Sequence, residues 1–332
     1  MDANGNENGV TLSPRRERAR REGENRFLRL YEEALAIEKE DAAKSGNLGF
    51  MARSLVQATL PYREPKDNPP AWGRTNGEVS LVIQPGYYFK KEPVLGRNGR
   101  VLREDQIPVS IGYPYGSNPR LILAWVATEV VKAKTRELVL GDSMTDFMAQ
   151  IGIHNATGGK RGTITSLKDQ MRRLFAANIA ITTDPKSVNW ANDGFRVADR
   201  ANLFWDPLTP DQPSLFQSTL VLSERFYNEL VEHPVPVDMR ALRALRQSPM
   251  AIDIYGWLTW RFYALSRRTH IPWEALQMQF GSDIKSSRKF RQLFTESLKQ
   301  VAMVYPDAKV EPTTSALILM PSNTSIPRLI RK

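Results

Sequence analysis

Between residues 283 and 303 the chain sets Lys285, Arg288, Lys289, Arg291 and Lys299 against Asp283 and Glu296. On a helical wheel of about 100° per residue, Phe290, Leu293, Phe294, Leu298 and Val301 fall in one narrow stripe. That stripe should face a core. The opposite side holds Lys285, Arg288, Gln292, Thr295 and Lys299. Lysine and arginine meet phosphates, and arginine or glutamine can read a purine edge with two hydrogen bonds. Recognition of duplex DNA is the chemistry such a face could serve. The alternative is an amphipathic helix whose basic side is merely solvated.

The stretch 163–178 behaves similarly. Ile164, Leu167, Met171, Leu174 and Phe175 form its apolar stripe, with Thr165, Ser166, Asp169 and Arg173 opposite and Arg172 on the flank. Lys160 and Arg161 precede it in the turn Gly158-Gly159-Lys160-Arg161-Gly162-Thr163. Glycine lets a backbone approach a phosphate, and a helix N-terminus adds positive potential. Asp169 repels phosphate, although it could accept from a cytosine amine. The candidate DNA-contacting residues are therefore Lys160, Arg161, Thr163, Thr165, Ser166, Arg172 and Arg173 in the first element. In the second they are Lys285, Arg288, Lys289, Arg291, Gln292, Thr295 and Lys299. A further cluster, Arg15, Arg16, Arg18, Arg20 and Arg21, could track a groove as an arm, but reads first as a solvated tail.

Catalytic chemistry finds little to work with. The chain has no cysteine, so disulfides, thiolate metal sites and thiol nucleophiles are excluded. His154, His233 and His270 are isolated, with no paired-histidine motif and no dense carboxylate cluster. The glycine turn at 158–163 lacks the Gly-x-x-x-x-Gly-Lys-Ser/Thr spacing of a nucleotide-binding loop. Tyr87, Tyr88, Tyr113 and Tyr115 are not by themselves a nucleophile signature, and Trp257, Trp260, Phe262 and Tyr263 read as helix-core aromatics. A non-enzymatic protein with no metal or cofactor is the expectation.

The chain has 332 residues, 41% hydrophobic and 25% charged, which suits a globular protein of about two domains. Its net charge of +10 favours an acidic partner, nucleic acid before an anionic membrane. No apolar run reaches the roughly 18 residues of a spanning helix, and the N-terminus lacks a secretory pattern. A soluble cytoplasmic protein is expected.

The elements that must position these faces follow from periodicity and caps. Residues 1–13 read as disordered. Phe27, Leu30, Tyr31, Ala34 and Leu35 share a helical face. Val79–Ile83 reads as a strand, Val101–Leu102 and Ile107–Ile111 as short extended pieces, and Leu121–Lys132 as a helix. A strand at Arg136–Leu140, a short helix capped by Ser143, the 163–178 helix and strands near 179–183, 195–205 and 217–222 come next. After a stiff linker, Pro234-Val235-Pro236, the same grammar returns. Asp238 and Ser248-Pro249 start helices, Trp273–Phe280 is a short helix, and 285–305 is a long one before strands at 309–311 and 316–320. The expected fold is α+β: two tandem winged-helix domains, each a helix-turn-helix plus β-hairpin, at 76–235 and 236–332. An N-terminal extension spans 1–75.

Three segments also resemble a known family: Leu48 to Pro61 (LGFMARSLVQATLP), Gly112 to Arg120 (GYPYGSNPR), and Gly141 to Met148 continuing through Gly158 to Gly162. The chain resembles the plasmid-encoded RepA family of replication initiators over roughly residues 45–320. The resemblance implies binding to repeated double-stranded sites (iterons) at a plasmid origin and opening of adjacent DNA. It also implies recruitment of the host initiator and helicase machinery, and self-association in a monomer–dimer equilibrium. Alternatives are a transcriptional repressor, a DNA-nicking enzyme and a scaffold whose winged helices bind only proteins.

Overall fold

The computed structural model describes residues 14–77, 79–95, 100–159, 161–183, 192–206, 209–214, 216–281 and 284–327. The chain begins with α1 (Pro14–Lys39), β1 (Leu48–Ala52), α2 (Arg53–Gln57), β2 (Trp72–Asn76), β3 (Val79–Gln84), β4 (Gly86–Leu95) and β5 (Val101–Gly112). The next group is α3 (Ser117–Ala133), β6 (Glu137–Val139), α4 (Met144–Gln150), α5 (Thr163–Ala176), β7 (Asn178–Thr183), β8 (Asn192–Arg196), β9 (Ala198–Asn202), β10 (Thr219–Leu222) and α6 (Glu224–Glu232). The last is β11 (Pro234–Asp238), α7 (Met239–Ala244), α8 (Pro249–Ala264), β12 (Thr269–Pro272), α9 (Trp273–Phe280), α10 (Ser287–Val304), β13 (Val310–Pro312) and β14 (Ala316–Leu319). The architecture is mixed helix and small sheets.

Two stretches share one plan. In the first, α3, β6, α4 and α5 lead to β9 and β10, and the sheet order is β6-β10-β9. In the second, α8, β12, α9 and α10 lead to β13 and β14, and the order is β12-β14-β13. In both sheets the last strand lies between the other two, antiparallel to each. The first stretch differs by an insertion: β7 and β8 leave to complete a separate sheet, β2-β3-β7-β8.

Local chemistry sets the helix starts. Ser143, Asp238 and Ser248 accept from the backbone N–H groups of Asp146, Arg240 and Ala251, and Pro249 opens α8. Ser286 caps α10 through Lys289 N–H. Ser223 caps α6, a helix the sequence reading passed over. Its signal was present, since Phe226 and Leu230 lie one turn apart and both are fully buried.

Five expectations require correction. The Pro234-Val235-Pro236 linker is a strand, β11, paired antiparallel with β1, Phe50 opposite Pro236. Proline tolerates an edge strand, and this ladder has only two. The segment before residue 76 is not a detached extension. Met51, Leu55, Val56 and Leu60 are buried in one core with residues of both later stretches. The apolar face assigned to α1 is only partly covered. Leu30 and Ala34 are buried, whereas Phe27, Tyr31 and Leu35 are exposed. The extended pieces at 101–111 belong to one long strand, β5, paired with β4 in a two-stranded ribbon. Tyr263 also departs from its helix-core assignment, at 61% exposed, while Trp257 and Phe262 are buried as expected. The expectation for residues 1–13 lies outside the described residues.

The two stretches are joined through a buried ion pair. Arg120 of α3 donates to both carboxylate oxygens of Asp253 on α8, each at 2.7 Å. The side chains are 3% and 4% exposed. The guanidinium also donates to the carbonyls of Leu60 and Gly116 at 2.7 and 2.6 Å. One cation therefore ties α3, α8 and the segment after α2 together.

Candidate nucleic-acid interface

α10 is anchored from behind by aromatic rings. Phe290 and Phe294 are fully buried, and Phe294 meets Trp273 and Phe280 edge-on at 5.8 and 5.5 Å. That packing fixes which side of the helix looks outward. Arg288, Lys289, Gln292 and Lys299 are exposed there and Thr295 is half-buried, whereas Lys285, expected on this helix, is exposed in the loop before it, because α10 starts at Ser287 behind its Ser286 cap. Gln292 sits in a small surface network, accepting from Lys289 Nζ at 3.2 Å and donating to Glu296 at 2.9 Å. Such exposed hydrogen bonds exchange readily with a base edge. Arg291 is different. Its guanidinium lies 5.3 Å from the Trp273 ring centroid and donates to Thr313 O, so it braces the β13–β14 hairpin instead of projecting freely.

α5 is held in the same manner by Ile164, Leu167, Met171 and Leu174, all buried. Arg161, Ser166 and Arg172 are exposed. The Lys168 ammonium, which donates to Trp205 O, is pushed below its ordinary pKa by burial and then by the neighbouring charge of Arg172.

Three residues proposed on this element serve the fold instead. Thr163 Oγ1 donates to Asn155 O at 2.6 Å and accepts from Thr157 N–H, and Thr165 Oγ1 donates to Gly159 O at 2.9 Å. Both hydroxyls brace the turn. Arg173 pairs with Asp169 at 2.7 Å and with Glu64, and its side chain is only 15% exposed. A guanidinium already held by two carboxylates is a poor phosphate ligand. Lys160 lies outside the described residues.

The turn itself depends on Gly162. A Cβ there would sit 2.1 Å from Thr157 O and 2.4 Å from Gly158 O, both backbone atoms that cannot swing aside. Gly162→Ala should lower stability by about 1–3 kcal/mol and loosen the start of α5. Urea denaturation measures the first effect, and hydrogen exchange of the Ile164 and Ser166 amides the second.

The hairpins beside each helix add cations that sequence reading missed. Arg200 is exposed on β9, and Lys309 is exposed just before β13. Their signal was weak, one charge in a short strand. Among the described residues no group of three or more histidines and carboxylates is placed to hold a metal ion. Among those residues, too, no helix is long and apolar enough to cross a membrane.

Residues 113–275 match the model of the family described as plasmid encoded RepA protein. The similarity to that family covers just under half of the chain. The match begins just before α3 and ends within α9, so it includes α5 and both partners of the Arg120–Asp253 pair but not α10. Among solved structures, that of domains 2 and 3 of RctB aligns with a TM-score of 0.47 and 12% identity, over 80% of this chain and 95% of that one. No curated protein matches the chain.

Proposed function

We propose that this protein is a plasmid replication initiator that grips repeated duplex sites through two winged-helix units. The observation that carries the reading is the repeated plan. Each stretch presents, after a short helix and a turn, a helix with a buried apolar back and, directly or after the β7–β8 insertion, a two-stranded hairpin; α10 exposes several cations, and α5 exposes Arg172 with Arg161 just before it. That is the arrangement by which a recognition helix enters a major groove while a hairpin reaches the flanking backbone. In this reading the unit boundaries near 76–235 and 236–332 describe the DNA-contacting parts. The segment before 76 serves as structural glue between them.

The contact set then comprises Arg161, Ser166 and Arg172 on the first unit, and Lys285, Arg288, Lys289, Gln292, Thr295 and Lys299 on the second. Arg288 and Gln292 are placed for base reading, and the lysines for phosphates. Arg288→Ala should cost about 1–3 kcal/mol and relax sequence preference, if it contacts a base as proposed. Lys299→Ala should weaken all duplexes alike and reduce the salt slope by about one. Gel-shift titrations at several salt concentrations separate the two. Equal affinity for origin repeats and random duplex would remove the reading.

Opening of adjacent DNA and recruitment of host initiator and helicase proteins belong to the same proposal, in the cytoplasm at the plasmid. No covalent step is assigned. Supercoiled plasmid incubated with the protein and Mg²⁺ should stay intact, whereas a nicked or protein-linked product would make it an enzyme. Self-association would rest on the exposed apolar residues of α1 and of the β4–β5 ribbon. Phe27 and Phe89 are 58% and 65% exposed.

A further inference from the structure

A cavity of about 300 Å³ lies where α1, the residues after α4 and α7 meet. Its lining is dominated by guanidinium groups: Arg29 from α1, and Arg240, Arg243 and Arg246 from α7 and the turn after it. His154, Asn155 and Glu33 complete the polar wall, and Ala36 contributes the lone apolar side chain. No part of this cavity belongs to the contact set proposed for DNA.

Charge is out of balance there. Arg240 is compensated, because its guanidinium is forked onto Asp238, with Nη2 to Oδ2 at 2.7 Å. The other three cations share one carboxylate of the lining, Glu33, with Asp238 acting on Arg243 and Glu32 on Glu33 from outside it, so the lining itself carries more positive than negative groups. Arg243 and Arg246 find only neutral acceptors among their recorded partners. Arg243 donates to Gln150 O at 3.0 Å and to Asn47 Oδ1 at 3.3 Å, and Arg246 donates to Gly152 O. The Nε of Arg243 is buried with no hydrogen-bond partner. Burial pushes the Arg243 guanidinium below its ordinary pKa, the response of a cation removed from water without enough counter-charge. Burial also lifts Glu33 above its ordinary value, although Arg29 and Arg246 face it.

We propose that this cavity binds a compact anion with two negative charges carried on phosphate groups. Its volume lies at the low end for small-molecule sites. Guanidinium forks match phosphate oxygens in geometry as well as charge. The oxygens could come from a free diphosphate or from the backbone of bound DNA, since the cavity adjoins the turn that leads into α5.

Calorimetric titration of the full chain with inorganic pyrophosphate tests the site. Saturable binding with one site is expected, accompanied by a rise in melting temperature. Arg29→Gln and Arg246→Gln should each weaken binding by about tenfold, the usual scale for one charge-assisted hydrogen bond. Arg29 is exposed on α1, so its variant should fold even if Arg246→Gln does not. Repeating the titration with a random-sequence duplex of about two helical turns identifies the source. Retained pyrophosphate binding marks a free ligand. Displacement, with weaker duplex binding by both variants, marks a backbone phosphate. Absence of binding heat and of any melting shift at millimolar pyrophosphate would overturn the proposal, as would wild-type affinity in both variants.

Discussion

Asp253→Ala should lower the unfolding free energy by about 3–5 kcal/mol, the scale for leaving one buried charge unpaired. The carboxylate it removes is the bidentate partner of Arg120, and both side chains are almost wholly excluded from solvent. The stranded guanidinium would keep its carbonyl acceptors at Leu60 and Gly116 but no counter-charge. Arg120→Met should be comparably costly, because Asp253 is already pushed above its ordinary pKa by burial, with Arg120 opposing that shift. The double variant Arg120→Met, Asp253→Leu should recover much of the loss, since an apolar pair of similar volume removes both desolvation penalties. Chemical denaturation of the three variants makes the test. A cost below about 1 kcal/mol for Asp253→Ala would place the pair in the category of weak surface bridges. It would also remove its role as the junction between the two halves.

The largest effect on binding should come from reversing the outer face of α10 together with Lys285 in the loop that leads into it. Lys285→Glu, Arg288→Glu and Lys299→Glu together replace three cations with three anions on side chains that are exposed. Stability should change little, because surface substitutions usually fall within about 0.5 kcal/mol. Affinity for origin repeats should fall by at least about a hundredfold at moderate salt, with a shallower dependence on salt concentration as fewer counterions are released. Circular dichroism and a filter-binding series at several ionic strengths read the two consequences separately. Unchanged affinity with an intact fold would mean that α10 does not touch DNA.

The contrast between α10 and α5 indicates what a sequence reveals. On both helices the apolar stripe was legible, because burial of Phe290 and Phe294, or of Leu167 and Met171, follows directly from helical spacing. Caps were legible for the same reason: Ser143, Asp238 and Ser248 act within a few residues of themselves. The fate of a polar side chain was not. Arg173 occupies a wheel position like that of any free cation, but its partner Glu64 is 109 residues away in sequence. Thr163 and Thr165 were diverted by a turn whose curvature depends on Gly162.

Strands were harder than helices. The β4–β5 ribbon is mostly exposed, so it lacks the alternation that burial on one face imposes. β11 was hidden by its two prolines, which argue against a strand unless it lies at an edge. The repeated plan was nonetheless readable as an order of elements, because each part has its own periodicity. The sheet order that makes the two stretches equivalent depends on long-range pairing and could only be seen in the fold.

Pairing of β1 with β11 has a consequence for spacing. The connector between the two stretches is fastened along five residue pairs to a strand that also lies against α3. It therefore acts as a strut, and α5 and α10 are carried at a set separation and relative phase. On the proposed reading the protein is a ruler as well as a reader. Five base pairs inserted in the middle of its site, about half a helical turn, would turn one half-site to the far side of the duplex, where only one helix could engage.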